Sequence, residues 1–210
     1  MTNRLPPMGP GVNLAVRLGT LELANPMMVA SGTFGWGVEF EHIVGFSNAD
    51  LGAIVLKGTT LEARTGNPSP RIVETAGGAG ILNSIGLENP GVEVVIGKYL
   101  PQLRGIKPKV IANVAGATIE EYCEVTRRFS DCPEIAAIEL NVSCPHVEKV
   151  GVQFGQGPGL LREVVEAVRS AIRKPVLVKL TPNITNIVEM AVIAEDAGAD
   201  AVVAINTVRG

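Results

Sequence analysis

The chain has 210 residues, is 46% hydrophobic but only 4% aromatic, and carries 18 Lys+Arg against 21 Asp+Glu for a formal net charge of −3. That length supports one domain with a core of small and branched aliphatic side chains, and the scattered basic residues exclude the concentrated positive surface of a nucleic-acid or anionic-membrane binder. No apolar run approaches the roughly 18 residues of a membrane-spanning helix, and three cysteines without paired spacing argue against a disulfide framework or zinc site and for a reducing cytoplasm.

The N-terminus, MTNRLPPMGPGVN, is rich in Pro and Gly and has no apolar signal core. Residues 13–24 alternate apolar and polar around Gly19-Thr20, which predicts a small β-hairpin. Pro26 to Ala30 reads as a buried strand running into Ser31-Gly32-Thr33, and Ala53 to Lys57 as a second, ending at Lys57-Gly58. Residues 61–91 form a long irregular section, which inside a compact domain marks a functional loop or lid. The pattern over residues 92–103 predicts a helix, and Val110 to Asn113 a third buried strand. Thr118 followed by Glu121 is a capping box opening a helix to about Phe129. Ala136 to Leu140 is the fourth strand and Pro175 to Leu180 the fifth, with a helix over residues 159–172 between them. A helix over residues 184–197, closed by Gly198, precedes the sixth strand, Ala201 to Ile205.

Continuous apolar strands alternating with amphipathic helices predict a parallel sheet covered by helices. A doubly wound sheet would carry a dinucleotide fingerprint after its first strand, and SGTFGWG does not fit one. A (β/α)₈ TIM barrel gathers its site from many strand C-termini, and here Ser31, Lys57, Asn113, Asn141, Lys179 and Asn206 stand at six of them. The expectation is a single domain over residues 1–210 comprising an N-terminal hairpin and about six βα units of such a barrel, with two further units expected beyond. Its first and sixth strands would be exposed edges.

The fourth strand runs into Asn141, Ser143 and Cys144, then Pro145. A thiol at a strand end suits a nucleophile or a tuned general base, whereas Cys123 and Cys132, on or after a helix, read as small buried apolar residues. Lys57 and Lys179 close otherwise apolar strands and need partners, which points to an anionic ligand or a Schiff base over a snorkelling role. Asn83, Asn113, Asn141 and Asn206 supply amides suited to a flat heterocycle with alternating C=O and N–H. Gly155 to Gly159 lacks the lysine of a phosphate loop and reads as a turn into a helix; two histidines, His42 and His146, do not make a metal site.

Six motifs in order, ASGTFGWG (30–37), LKGTTLEARTGNPSPR (56–71), ILNSIGLENPG (81–91), ELNVSCPHV (139–147), VKLTPN (178–183) and INTVRG (205–210), resemble class 1 dihydroorotate dehydrogenases, most nearly the 1B, NAD-linked catalytic subunit. The resemblance implies an FMN enzyme of pyrimidine synthesis in which Cys144 is the general base. It implies FMN contacts from Ser31, Lys57, Gly58, Asn113, Asn141, Lys179 and Ile205, and dihydroorotate contacts from Lys57, Asn83, Ser84, Ile85, Gly86, Leu87, Asn141, Asn206 and Thr207. It further implies a homodimer joined to a second subunit carrying FAD and an iron–sulphur cluster, no metal on this chain, and a flavin phosphate site on the two further units. The family commonly has Asn after SCP, where this chain has His146, an imidazole that can donate one hydrogen bond but not an amide's paired contacts. Two other readings compete: a flavin barrel acting on another pyrimidine such as uracil or thymine, and an inactive fragment or binding module.

Overall fold

The structure, a computed structural model, describes residues 12–40, 43–143 and 154–210. The chain opens with the expected antiparallel hairpin, β1 (Val16–Leu18) and β2 (Leu21–Leu23), turned where Gly19 takes a φ of 56°. Then follow β3 (Met28–Val29) and β4 (Ala53–Val55). A second antiparallel hairpin, β5 (Ile72–Glu74) and β6 (Ile81–Asn83), leads to a short helix α1 (Val92–Val94). The remainder alternates strictly: β7 (Lys109–Val114), α2 (Ile119–Ser130), β8 (Ile135–Asn141), α3 (Pro158–Ala171), β9 (Val176–Lys179), α4 (Ile187–Asp196) and β10 (Ala201–Val203).

Strands β3, β4, β7, β8, β9 and β10 lie side by side in that order, all parallel. Each strand pairs with the next of the set along the chain, the winding of a (β/α)₈ barrel, of which these six strands are a part. The two faces of the sheet follow from the alternation of side chains along each strand. One face, including Ile54, Ala112, Ile138, Leu140 and Val178, packs under the helices, which contribute Tyr122, Phe129, Leu161, Val165 and Met190. The other face carries Ala53, Val55, Ile111, Ala137 and Leu177, and against it Leu21 and Leu23 of the N-terminal hairpin are buried. The hairpin therefore covers the inner face over an apolar layer, and the polar residues occur further along the strands, toward their C-terminal ends.

Four expectations need correction. The first strand is not buried: β3 is two half-exposed residues, because it lies at a sheet edge and pairs only with β4. The section over residues 61–91 is not irregular throughout, since β5 and β6 pair from Ile72↔Asn83 to Glu74↔Ile81. The helix over residues 92–103 is not uniform: α1 widens into a π turn over Val95–Tyr99 and tightens into a 3₁₀ turn over Leu100–Leu103. Pro101 accounts for the break, because it has no N–H for the helical ladder and its ring crowds the preceding turn. Finally, α4 starts at Ile187, three residues later than expected, because the Asn186 side chain accepts from the Glu189 N–H at 3.2 Å and caps the helix there. Among the described residues, no helix is long and apolar enough to cross a membrane.

Candidate active site

Strand register brings the polar residues together. Asn113 on β7 stands opposite Glu139 on β8, and Asn141 on β8 opposite Lys179 on β9. Glu139 and Asn141 are two residues apart, so they share the inward face with Ala137 of the apolar layer. Asn113, Glu139, Asn141 and Lys179 are all buried. Polar groups so far from water require partners.

They find them largely in one another. The Asn113 amide donates from Nδ2 to Glu139 Oε1 at 2.6 Å. Lys179 Nζ donates to Ser31 Oγ at 3.1 Å, and the Ser31 hydroxyl in turn hydrogen-bonds the Glu139 carboxyl. Asn206 Nδ2 donates to Asn141 Oδ1 at 2.9 Å, and Tyr122 on α2 donates its hydroxyl to the Asn141 carbonyl at 2.6 Å. Burial pushes the Glu139 carboxyl above the usual carboxylate range, against the opposing pull of the Lys179 charge and of the Asn113 and Ser31 hydrogen bonds.

One acceptor is left over. Asn113 Oδ1 is buried and has no hydrogen-bond partner. A side chain at Gly58 would put its Cβ 2.9 Å from that oxygen and 3.3 Å from Leu87 Cδ2, so glycine keeps the space above the acceptor free. Leu87 holds a φ of 56°, a conformation that costs a branched residue energy and needs support. Buried Asn89 supplies it, donating to the Leu87 carbonyl at 2.7 Å and to Thr60 Oγ1 at 3.0 Å, while its Oδ1 accepts from Gly91 N–H at 3.0 Å.

The structure thus gathers Ser31, Gly58, Asn113, Asn141, Lys179 and Asn206, with Leu87 beside Gly58. Lys57 already has an anionic partner, Glu88, at 3.9 Å; Glu88 is also held by Arg71 at 2.5 Å. Ser84 Oγ accepts from Asn67 Nδ2 at 2.8 Å, and the Ile85 carbonyl accepts from the Asn67 N–H at 3.0 Å. Gly86 packs against the same Asn67, Asn83 is exposed on β6, Ile205 is exposed, and the Thr207 N–H donates to the Asn206 side chain at 2.8 Å. These residues stand around the buried group, not in it. Cys144 and His146 lie outside the described residues, as does His42. Cys123 and Cys132 are buried as expected, and burial pushes both thiols up, away from the thiolate that reactive chemistry needs.

Two residues escaped the sequence reading. Glu139 had a visible signal, a charged residue inside the otherwise apolar run AAIEL. Asn89 had none of comparable strength, since an Asn before Pro-Gly ordinarily reads as a turn. A cavity of about 290 Å³ is lined by Trp36, Lys57, Arg64, Glu88, Asn89 and Tyr99 among others, and so touches Lys57 and Asn89 but none of the buried group itself. A larger one, about 380 Å³, lies at the opposite end of the strands, between residues 103–110 and 133–136, and touches none of the site residues. Chemistry, not size, marks the site.

The model of the family described as dihydroorotate dehydrogenase matches residues 13–210. Similar curated proteins carry the name dihydroorotate dehydrogenase B (NAD(+)), catalytic subunit. That of Trichlorobacter lovleyi is 50% identical over 197 residues, covering 94% of this chain and 64% of its own. That of Anoxybacillus flavithermus is 51% identical over 197 residues, covering 94% and 62%. That of Geobacter sulfurreducens is 49% identical over 198 residues, covering 94% and 64%. The chain therefore spans under two thirds of the length of these relatives.

Proposed function

The chain belongs to the dihydroorotate dehydrogenase family, and from that premise we propose that the full-length protein is an FMN-dependent enzyme oxidising (S)-dihydroorotate to orotate in cytoplasmic pyrimidine biosynthesis. The observation that carries this reading is the group of buried Asn113, Asn141 and Lys179, with half-buried Ser31 bonded to Lys179, at the C-terminal ends of parallel strands, left with one unpartnered acceptor. That group suits a flat heterocycle: Asn113 Oδ1 offers an acceptor for a ring N–H, Gly58 keeps it accessible, and buried Lys179 offers positive charge.

Ser31, Lys57, Gly58, Asn113, Asn141, Lys179 and Ile205 would hold FMN, whose contribution when bound is to accept the hydride that leaves C6 of dihydroorotate. Cys144, at the end of β8's chain direction, removes the proton from C5, so that the C5–C6 double bond of orotate forms as the two hydrogens depart. A carbon acid beside a carbonyl needs a base of tuned pKa and stabilisation of the charge that develops on the carbonyl oxygen. Lys57, Asn141, Asn206 and Thr207, with Asn83 to Leu87 of the 83–89 segment, would bind the substrate. Asn67 orders that segment through its bonds to Ser84 and Ile85, and the Glu88 carboxylate holds Lys57 until a substrate carboxylate competes for it. The relatives' name, an NAD(+)-linked catalytic subunit, supports electron delivery to NAD⁺ through a separate partner subunit; we propose that this partner bears FAD and an iron–sulphur cluster and that the catalytic subunit is a homodimer.

Full-length protein should purify yellow and its flavin should bleach on adding dihydroorotate. In Cys144→Ala the flavin should remain bound while its reduction slows by about 10²–10⁴-fold, the usual contribution of a positioned base. Reduction of the alanine variant at the parental rate would remove Cys144 from the base role. If uracil, and not orotate, perturbs the flavin spectrum, the substrate is a different pyrimidine.

A further inference from the structure

Glu139 is the one acidic side chain in the buried group, and nothing in the proposed chemistry uses it. It lies behind Asn113 and Ser31, two residues inward from Asn141, with its carboxyl 2% exposed as a residue. Its bonds nevertheless determine what its neighbours present. A carboxylate only accepts hydrogen bonds, so the 2.6 Å contact with Asn113 must be made by the amide nitrogen. Turning the amide over would set its oxygen against another acceptor at that distance. With Nδ2 committed to Glu139, Oδ1 is directed to the other side, where it is buried, unpartnered and kept clear by Gly58. On the other flank, Glu139 is bonded by Ser31, which accepts from Lys179 Nζ at 3.1 Å. A buried ammonium without a counter-charge would be costly, and Glu139 is the acidic group that faces Lys179 within this set.

We infer that Glu139 is a positioning residue for the flavin site: its carboxyl orients the Asn113 amide so that an acceptor faces the ligand, and through Ser31 it holds and partly neutralises Lys179. It reaches no substrate atom itself; it acts through the two side chains that would. The inference rests on the reading of the group as a flavin site.

Because Glu139 offsets a positive charge beside a group that gains electrons, its removal has a directional consequence. In full-length holoprotein, Glu139→Gln keeps the shape and loses the charge, so the midpoint potential of the bound flavin should shift to more positive values. Glu139→Asp keeps the charge and should return the potential toward the parental value, although its shorter reach loosens the Asn113 contact. A purely structural role would lower the stability of both variants and leave both potentials where they were. A Glu139→Gln potential that is unchanged, or shifted negative, overturns the inference. If neither variant yields folded holoprotein, a crystal structure of the unmodified holoprotein decides. Asn113 should keep its nitrogen on Glu139 and its oxygen within hydrogen-bond reach of a flavin N–H, and an Asn113 turned away from Glu139 overturns the inference. An unmodified full-length protein that takes up no flavin would sink the functional reading beneath it; a flavin-bearing protein indifferent to Glu139 would sink only this step.

Discussion

A carboxyl buried as deeply as Glu139 makes the stability of the fold depend on pH. Burial raises its pKa in the folded chain above the ordinary carboxyl value, with the Lys179 charge and the Asn113 and Ser31 bonds opposing the rise without cancelling it. Folding therefore makes this carboxyl harder to ionise, and the associated stability is lost as pH climbs from the ordinary carboxyl range through the raised value, above which Glu139 is the carboxylate. Glu139→Gln has no proton to lose. Urea denaturation across a pH series should show the glutamine variant gaining on the parent through that window, with a constant difference above it; a gain that shrinks as pH rises would contradict the direction of the shift. Asn89 makes a second prediction at this scale. It links Thr60, Leu87 and Gly91 from a buried position, so Asn89→Ala leaves several buried groups unpaired and should cost about 1–3 kcal/mol by chemical denaturation. The sequence made the strand-end residues legible because a lysine or asparagine after an apolar run is conspicuous. It did not show that Lys57 and Lys179 differ: one is turned to Glu88 at a half-exposed position, the other is buried against Ser31. That distinction is made by cross-strand register, which a single chain does not display.

At the scale of elements, the strictly alternating half of the chain was readable and the section over residues 61–103 was not. Helix α2 illustrates the readable kind. Thr118 Oγ1 accepts from the Glu121 N–H at 3.2 Å, as its capping box predicts. The Glu121 carboxylate reaches past Thr118, accepting from Ala117 N–H at 2.7 Å and from Leu61 N–H at 3.3 Å, so the helix start also fastens the segment that follows Lys57 and Gly58. Thr118→Ala should cost about 1 kcal/mol, measurable as a lower denaturation midpoint at unchanged slope. Tyr122→Phe, one turn on, removes the hydroxyl held at 2.6 Å by the Asn141 carbonyl and should cost about as much again. The hairpin of β5 and β6 illustrates the other kind. All six of its strand residues are exposed, including Ile72, Val73, Ile81 and Leu82. With no buried face there is no alternation of apolar and polar residues to read. The turn itself was visible in Gly77-Gly78, which take φ of 80° and 68°, but a turn without periodic flanks does not identify a hairpin.

For the whole molecule, the architecture could be read because repetition of strand and helix carries more weight than any one segment, and six strands in sequential order reproduce it. The same order determines where the sheet is vulnerable. Among the described residues its outermost strands are β3 and β10, each paired on one side only. Met27 beside β3 and Val202 on β10 are exposed apolar residues at these edges. A strand with unpaired N–H and C=O groups and apolar side chains is a template for another chain. The 210-residue chain should accordingly associate as its concentration rises, and light scattering or sedimentation should record it. Val202→Lys places a charge on that edge without touching the inner face, where β10 contributes Ala201 and Val203. The substitution should reduce association while leaving the denaturation midpoint within about 0.5 kcal/mol of the parent, as for surface changes generally. Equal association of the two chains would mean that β10 is not the contact. The exposed β5–β6 hairpin, with its four bulky aliphatic side chains in solvent, would then be the surface to alter next.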